Sequence, residues 1–228
     1  SRGLGDVYKR QALEYMAKKG NPMLLATGAT TTDEVATAVN TILALNPQLI
    51  LMQCNTNYTA SLENFKYINL NVLKTYASMF PDVILGLSDH TPGSTTVLGA
   101  IALGAKVIEK HFTDDNDREG PDHKFSMNPV SWKEMVDLSR ELESALGCGV
   151  KKVEDNEKET VVLQRRSIRT SKKLIVGSVI SEDDIEMLRP CPEDGIAPYD
   201  KNKILGKVLV KELPSGQHLK WSDLQEIN

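Results

Sequence analysis

One pattern recurs from residue 22 to residue 148: a short, nearly continuous apolar run, then a polar loop, then a longer helical stretch. The apolar runs are PMLLATGA (22–29), QLILMQCN (48–55), DVILGLSDH (82–90) and AKVIEKHFT (105–113). Such runs are typical of parallel strands that are covered on both faces. Strand–helix repeats of about thirty residues imply right-handed parallel crossovers. The sequence therefore predicts an α/β fold with about four parallel strands, half of a (β/α)8 TIM-type barrel.

The predicted partial barrel covers residues 12–148 and closes with an amphipathic helix at 132–147. Residues 1–11 lack apolar periodicity, so we interpret them as a non-native scar and exclude them from the fold. Residues 149–160 are charged and indicate a linker. Short strands and turns, with one short helix at SEDDIEML, indicate a small β-rich domain over 161–228. A domain of that size is marginal alone, so we expect it to lean on the barrel or on a second subunit.

Charge and composition exclude several functional classes. The net charge is −4, and no block of like charges offers a phosphate-binding stripe, which argues against nucleic acid as a partner. The sequence has neither a long apolar run nor a secretory signal, so we expect a cytoplasmic protein that does not enter the membrane. Cys54, Cys148 and Cys191 are widely spaced and odd in number, which predicts free thiols rather than a disulfide framework or a zinc site.

Each predicted strand ends in polar residues that a buried strand does not need. In a parallel α/β barrel all the carboxyl ends lie on one face, where the following loops build the active site. The sequence therefore predicts a site at this rim. The residues concerned are Thr27 and Gly28; Gln53, Cys54, Asn55 and Thr56; Ser88, Asp89 and His90; and Glu109, Lys110 and His111.

His90 and His111 end successive strands, so their imidazoles could bind one divalent metal ion. The acidic neighbours Asp89 and Glu109 could orient them. The alternative is that each histidine is simply a hydrogen-bonded loop residue. Lys110 could neutralise an anion or merely cap its strand, and strand alternation indicates that it points away from His111.

A long acidic loop, FTDDNDREGPDHKFSMNP, follows at 112–129. Its likeness to a calcium loop is superficial because the terminal bidentate glutamate is missing. We expect a lid. Asp122, in a Gly-Pro-Asp-His turn, is a candidate carboxylate over the site or else a plain turn residue.

The ordered motifs LLATGA, LMQCNTNYT, GLSDHT, IEKHFTDD and GPDHKFSMNP resemble the second half of the sialic acid synthase family, which comprises N-acetylneuraminate, legionaminate and pseudaminate synthases. Residues 161–226, with LRP and LGKVLVKELPSGQ, are similar to the family's antifreeze-like (SAF) domain. The resemblance implies condensation of phosphoenolpyruvate with an N-acylated mannosamine-type sugar, giving a nine-carbon 2-keto acid and phosphate. It also implies a divalent metal, usually manganese with magnesium or cobalt left open, and a domain-swapped homodimer.

Carried over by resemblance, His90 and His111 match the family's metal ligands. Ser88 matches a phosphoenolpyruvate contact, Asp122 a carboxylate that contacts sugar or water, and Glu109 a supporting acid. The metal would act as a Lewis acid on the sugar aldehyde, and a carboxylate would manage the attacking water.

Tyr58 matches a tyrosine near the sugar, and Arg189 matches the SAF-domain arginine that reaches the sugar of the partner subunit. Thr27, Asn55 and Thr56 are the remaining candidate substrate contacts. This chain departs from the family here: it has ATG at 26–28 where members often have Ser-Thr-Gly, and CNT at 54–56 where several have Cys-Thr-Asn.

The family's first four strands carry a glutamate and two lysines that hold substrate, and nothing in this sequence matches them. Our hypothesis is an N-terminally truncated synthase that is inactive alone. The alternative class is a non-catalytic carbohydrate-binding or interaction module dominated by the SAF domain. A third reading, another phosphoenolpyruvate-using barrel, is disfavoured by the SAF-like tail. Which acylated sugar is used stays open.

Overall fold

The chain divides between Gly149 and Val150 into two compact units, and four parallel strands form the sheet of the first. The computed structural model describes residues 10–58 and 61–226. The strands are β1 (Met23–Ala26), β2 (Leu49–Cys54), β3 (Ile84–Asp89) and β4 (Val107–Lys110), and they lie in the order in which they occur along the chain. The predicted half-barrel of parallel strands is confirmed.

Five helices accompany the described strands of this unit. They are α1 (Arg10–Ala17), α2 (Thr32–Leu43), α3 (Val72–Met79), α4 (Thr95–Ala102) and α5 (Pro129–Leu146). A capping box starts α2, in which the Thr31 side chain accepts from the Glu34 backbone and the Glu34 side chain accepts in return. Asn128 caps α5, which begins three residues before the helix predicted at 132. Residues 1–9 of the presumed scar lie outside the described residues, and its last two residues form the start of α1.

The two faces of the sheet have different surroundings. Leu25, Leu51 and Leu85 are neighbours across three strands and are buried in the core that the sheet forms with the helices. On the opposite face the row one residue earlier contains Leu24 and Ile84, which are 47% and 50% exposed. The period of two therefore directs one set of side chains to the helices and the other to the inner face of the half-barrel.

The second unit is built from short elements around a core of its own. They are α6 (Lys158–Gln164), β5 (Ser167–Thr170), β6 (Ile185–Leu188), α7 (Lys201–Ile204), β7 (Val208–Leu209) and β8 (Leu224–Gln225), and β5–β6 and β7–β8 pair antiparallel. The small β-rich domain is thus confirmed. The helix predicted at SEDDIEML is wrong, because only 182–184 form a 3-10 turn and the rest is β6. Pairing with β5 overrides the local helical pattern.

The described residues hold no helix that is both long enough and apolar enough to cross a membrane.

Gly86 in β3 offers a test of how closely the sheet packs. A Cβ built there would lie 2.7 Å from the backbone oxygen of Val107 and 2.9 Å from Met52 Cγ. We expect Gly86→Ala to lower the free energy of unfolding by about 1–3 kcal/mol, because the Val107 carbonyl belongs to the backbone of β4 and cannot move aside without distorting the sheet. Gly99→Ala is the matched control, since its Cβ would meet only the flexible end of Leu70, and alanine favours the helix. Equal urea unfolding midpoints for the two variants would contradict this account.

Candidate functional site

His90 and His111 lie side by side at the carboxyl ends of β3 and β4. The parallel register pairs Asp89 with Lys110, so the next residue of each strand is a histidine. The two ring centroids are 5.1 Å apart, with an angle of 62° between the ring planes. The structure therefore brings together the two imidazoles that strand-end reasoning selected.

An oxygen atom of another residue lies close to the Nδ1 atom of each imidazole. His90 Nδ1 lies 2.9 Å from the backbone oxygen of Asn55, which can only accept, so Nδ1 donates and Nε2 is the nitrogen left for a ligand. His111 Nδ1 lies 3.4 Å from Asp122 Oδ2. A carbonyl or carboxylate behind the ring is the arrangement that orients metal-binding histidines.

The separation of the two rings is compatible with one shared divalent cation. Two imidazoles that bind a common ion through nitrogens about 2 Å away have ring centroids roughly 5 Å apart, which matches the observed separation. Burial and the neighbouring His90 lower the pKa of His111, which favours its neutral, ligating form. Over the described ranges, no group of three or more His, Cys, Asp or Glu side chains is arranged to hold an ion. The fit thus rests on two imidazoles, with further positions left to water or substrate.

The hydrogen bonds of Asp89 go to Thr91, Thr96 and Lys110, so the expectation that its carboxylate orients a histidine by direct contact is wrong. Asp89 and Lys110 are both buried and form an ion pair of 2.5 Å with each other. Strand alternation explains the difference, because each of these residues precedes a histidine and so points to the opposite face of the sheet. For the same reason Lys110 is not available to an anion in the cleft.

Ser88 and Glu109 lie in a row on the inner face of the sheet, directly below the histidines. Cys54, Ser88 and Glu109 are neighbours across β2, β3 and β4. Ser88 Oγ donates to Glu109 Oε1 over 3.2 Å. Burial raises the pKa of the Cys54 thiol to about 11, and the carboxylates of Glu109 and Asp89 add to the shift. The row therefore presents a hydroxyl, a carboxylate and a neutral thiol to the interior of the half-barrel.

Two aromatic side chains border the histidines. Tyr58 is 50% exposed, and its ring lies 4.4 Å from that of His90 and 5.7 Å from that of His111. The ring of Phe125 is buried and lies 5.1 Å from that of His111. Sequence reasoning selected Tyr58 but missed Phe125, which is one of several apolar residues in a mostly polar loop.

The loop at 112–129, expected to be a lid, is bonded to the end of β4. The Met127 amide donates to the backbone oxygen of His111, and Thr113 donates back to Met127. Asn116 Nδ2 donates to the carbonyls of His123 and Ser126. These bonds hold the segment that carries Asp122 and Phe125 beside His111.

Thr27, Asn55 and Thr56 line a neighbouring cleft of about 670 Å³. Thr27 is buried and donates through Oγ1 to the Met52 carbonyl. The Asn55 amide donates to the Tyr67 carbonyl. Gly28 is required here, because a Cβ at that position would lie 2.3 Å from Thr56 Cγ2. The cleft and the two histidines thus lie at the same carboxyl ends of the strands, with Asn55 contacting His90 and lining the cleft.

Arg189 lies in the second unit, after β6 and before a proline joined by a cis peptide bond. Its side chain is exposed, and Nε donates to the Gln164 carbonyl. The remaining candidates, by contrast, all belong to the first unit.

Family models match both parts of the chain. The NeuB family model matches residues 3–151, and the SAF domain model matches residues 165–225. The first match begins inside the segment that sequence analysis set aside as a scar.

Several of the curated relatives are synthases of legionaminic acid, pseudaminic acid or N-acetylneuraminate 9-phosphate. The chain is 37% identical to N,N'-diacetyllegionaminic acid synthase of Legionella pneumophila, over 97% of this chain and 62% of that protein. It is 35% identical to pseudaminic acid synthase of Campylobacter jejuni, over 92% and 60% respectively. It is 32% identical to human N-acetylneuraminate-9-phosphate synthase, over 90% and 56%. The chain thus spans less than two thirds of the length of these relatives.

Solved structures agree with the fold. The chain matches spore coat polysaccharide biosynthesis protein SpsE of Bacillus subtilis at 33% identity and a TM-score of 0.57, over 97% of this chain and 66% of that one. It also matches an N-acetylneuraminic acid synthetase from Leptospira borgpetersenii serovar Hardjo-bovis, solved with citrate, at 29% identity and a TM-score of 0.61. That match covers 68% of this chain and 53% of the other.

The raised pKa of Cys54 predicts a slow thiol. In a Cys148→Ser, Cys191→Ser variant, Cys54 should react with a disulfide reagent at pH 7.5 roughly a hundredfold more slowly than exposed Cys148 does in the reciprocal variant. The rate for Cys54 should keep rising as the pH approaches 11, because the thiolate fraction grows up to the pKa. Equal rates for the two thiols would show that the Cys54 thiol is not buried and that its pKa is not raised.

Proposed function

The chain belongs to the NeuB family, and from that premise we propose that it supplies the cation-binding half of a synthase that condenses phosphoenolpyruvate with an N-acylated mannosamine-type sugar. The products are a nine-carbon 2-keto acid and phosphate. The observation that carries this proposal is the pair of rim imidazoles, 5.1 Å apart, each with an oxygen behind Nδ1. Two histidines so placed on a half-barrel are suited to a reaction that needs a Lewis acid at the mouth of the site.

A divalent cation, manganese in the first instance with magnesium or cobalt as alternatives, would be held by His90 and His111 and would polarise the sugar aldehyde. The Asn55 carbonyl and the Asp122 carboxylate lie beside the two Nδ1 atoms, so both Nε2 atoms would be left for the cation. Asp122 is 47% exposed at its side chain, so it can also reach a water molecule. We assign to it acceptance of the proton that is released when water adds to the carbon that bears the phosphate.

The inner row is assigned to phosphoenolpyruvate. Ser88 Oγ points toward Glu109, and both residues face the interior below the histidines. Glu109 acts as a supporting acid beside the reacting carbons. Condensation forms one carbon–carbon bond from the enol methylene to the aldehyde carbon, and the phosphate leaves after water has added.

The cleft and the aromatic border are assigned to the rest of the sugar. Thr27, Asn55 and Thr56 offer neutral hydrogen-bonding groups there, as hydroxyls and an acylamino group require. In this assignment Tyr58, whose ring contacts that of His90, borders the sugar on the side of the histidines. In the same proposal, Arg189 reaches the site of a partner subunit in a domain-swapped homodimer, and the protein works in the cytoplasm.

Cation binding tests the core of the proposal. Titration of the chain with Mn²⁺, followed by the loss of its free EPR signal, should reveal one site that is lost in a His90→Ala, His111→Ala variant, because both protein ligands are gone. His218→Ala is the matched control, since that histidine contacts Asp194 in the second unit. Undiminished binding in the double variant would refute the assignment.

Phosphate release tests the reaction. A chain lengthened to the full span of the curated relatives should release phosphate from phosphoenolpyruvate only when N-acetylmannosamine or a related acylated sugar and Mn²⁺ are present. The 228-residue chain should not turn over, because the inner wall around Leu24 and Ile84 is open. Release by the long chain without any sugar, or turnover by the short chain, would contradict the corresponding part of the proposal.

A further inference from the structure

The ion pair between Asp89 and Lys110 is the most deeply buried charged contact among the described residues. The two side chains are 0% and 1% exposed, and Lys110 Nζ lies 2.5 Å from Asp89 Oδ2. Neither group contacts the cleft, and the reaction proposed above assigns no step to either. The pair therefore needs an explanation of its own.

Hydrogen bonds occupy both partners and tie three elements together. Asp89 Oδ1 accepts from the Thr91 amide over 3.1 Å, and Asp89 Oδ2 accepts from Thr96 Oγ1 over 2.6 Å. Lys110 Nζ donates a second bond, of 2.6 Å, to the Thr91 carbonyl. Because Thr96 lies in the first turn of α4, the end of β3, the loop after it, the start of α4 and the end of β4 form one bonded unit.

Stability alone is a weak reason for such a pair. Removing two charges from water costs several kcal/mol per ion, and apolar residues of similar volume often stabilise a core as well or better. Buried ionic groups of this kind are better explained where they determine one geometry out of several. The geometry at stake here is that of the residues which follow them.

We propose that the Asp89–Lys110 pair is a positioning device for the two rim imidazoles. His90 follows Asp89 and His111 follows Lys110, and Asp89 and Lys110 are register partners across β3 and β4. The pair joins β3 to β4 on the helix side of the sheet at their last register position. This link sets the separation of the two histidine rings on the opposite face. This inference rests on the proposed function, because it concerns the readiness of both histidines to bind one cation.

Small changes in the separation of the two histidines are expected to alter the affinity for a cation. A binding constellation must be held within about 0.5 Å of its productive geometry, and supporting groups that hold ligands in place are worth about tenfold to a hundredfold in metal affinity. His90 also depends on the Asn55 carbonyl and His111 on Asp122. Those contacts orient each ring by itself, whereas the ion pair links the two strands that carry the rings.

The test uses a charge-neutral double variant, Asp89→Asn with Lys110→Met, which removes both charges and keeps most of the volume. We expect it to fold, with a thermal midpoint close to that of the native chain, and to bind Mn²⁺ about tenfold to a hundredfold more weakly. Pulsed EPR should count two coordinated imidazole nitrogens in the native chain and fewer than two in the variant. This spectroscopic count would not change if the pair merely stabilised the fold.

The matched control is Asp137→Asn with Lys133→Met, which neutralises an exposed ion pair on α5 and should leave both the affinity and the nitrogen count unchanged. If the buried double variant does not fold, Thr96→Val replaces it, because it removes one bond to Asp89 and leaves the ion pair in place. We then expect a loss of affinity of about threefold to tenfold with the fold retained.

Two failures can be told apart. The positioning role is overturned if the folded double variant keeps the native affinity and two coordinated nitrogens. If the double variant does not fold, a native affinity in Thr96→Val overturns it. Either result leaves the proposed function standing. Mn²⁺ binding that persists without His90 and His111 would overturn the proposed function instead.

Discussion

The parallel register that sets Asp89 opposite Lys110 is the constraint on which the rest of the site depends. A shift of one residue would turn every side chain of β4 to the other face of the sheet and separate the two histidines. The same register aligns Ser88 with Glu109 on the inner face. The buried ion pair and the two imidazoles are therefore two consequences of a single alignment, one on each side of the sheet.

The first unit shows how a buried strand can end in polar groups when those that face the core have partners there. In β3, the residues that face the helices are apolar until Asp89, where a lysine and two threonines satisfy the carboxylate. The residues that face inward change from apolar to polar toward the carboxyl end, through Ser88 to His90. Membership of the NeuB family is consistent with a rim of this composition.

Much of this arrangement could be predicted, because it follows from short-range pattern. Continuous apolar runs identified β1 to β4, and the rule that parallel strands end on one face identified the histidines as neighbours. Alternation also indicated that Lys110 points away from His111. It could not indicate that Asp89 is its partner, since that depends on the register between strands rather than on spacing along one of them.

The features that the sequence pattern could not predict depend on tertiary contacts. The oxygen behind His90 is a backbone carbonyl of Asn55, and no side-chain motif marks a carbonyl. Phe125 lies beside His111 in a loop whose Met127 is bonded back to His111 and Thr113, just after β4. The segment 185–188 has a helical sequence pattern, but it forms β6 because β5 offers it a ladder of hydrogen bonds.

The most direct test of the account is an anomalous difference map, recorded at the manganese absorption edge from crystals of the chain grown with Mn²⁺. The account predicts one peak between the rings, within bonding distance of Nε2 of both His90 and His111, with the Asp89–Lys110 pair intact on the other face of the sheet. A peak bound to one imidazole alone, or one located away from this rim, would contradict it.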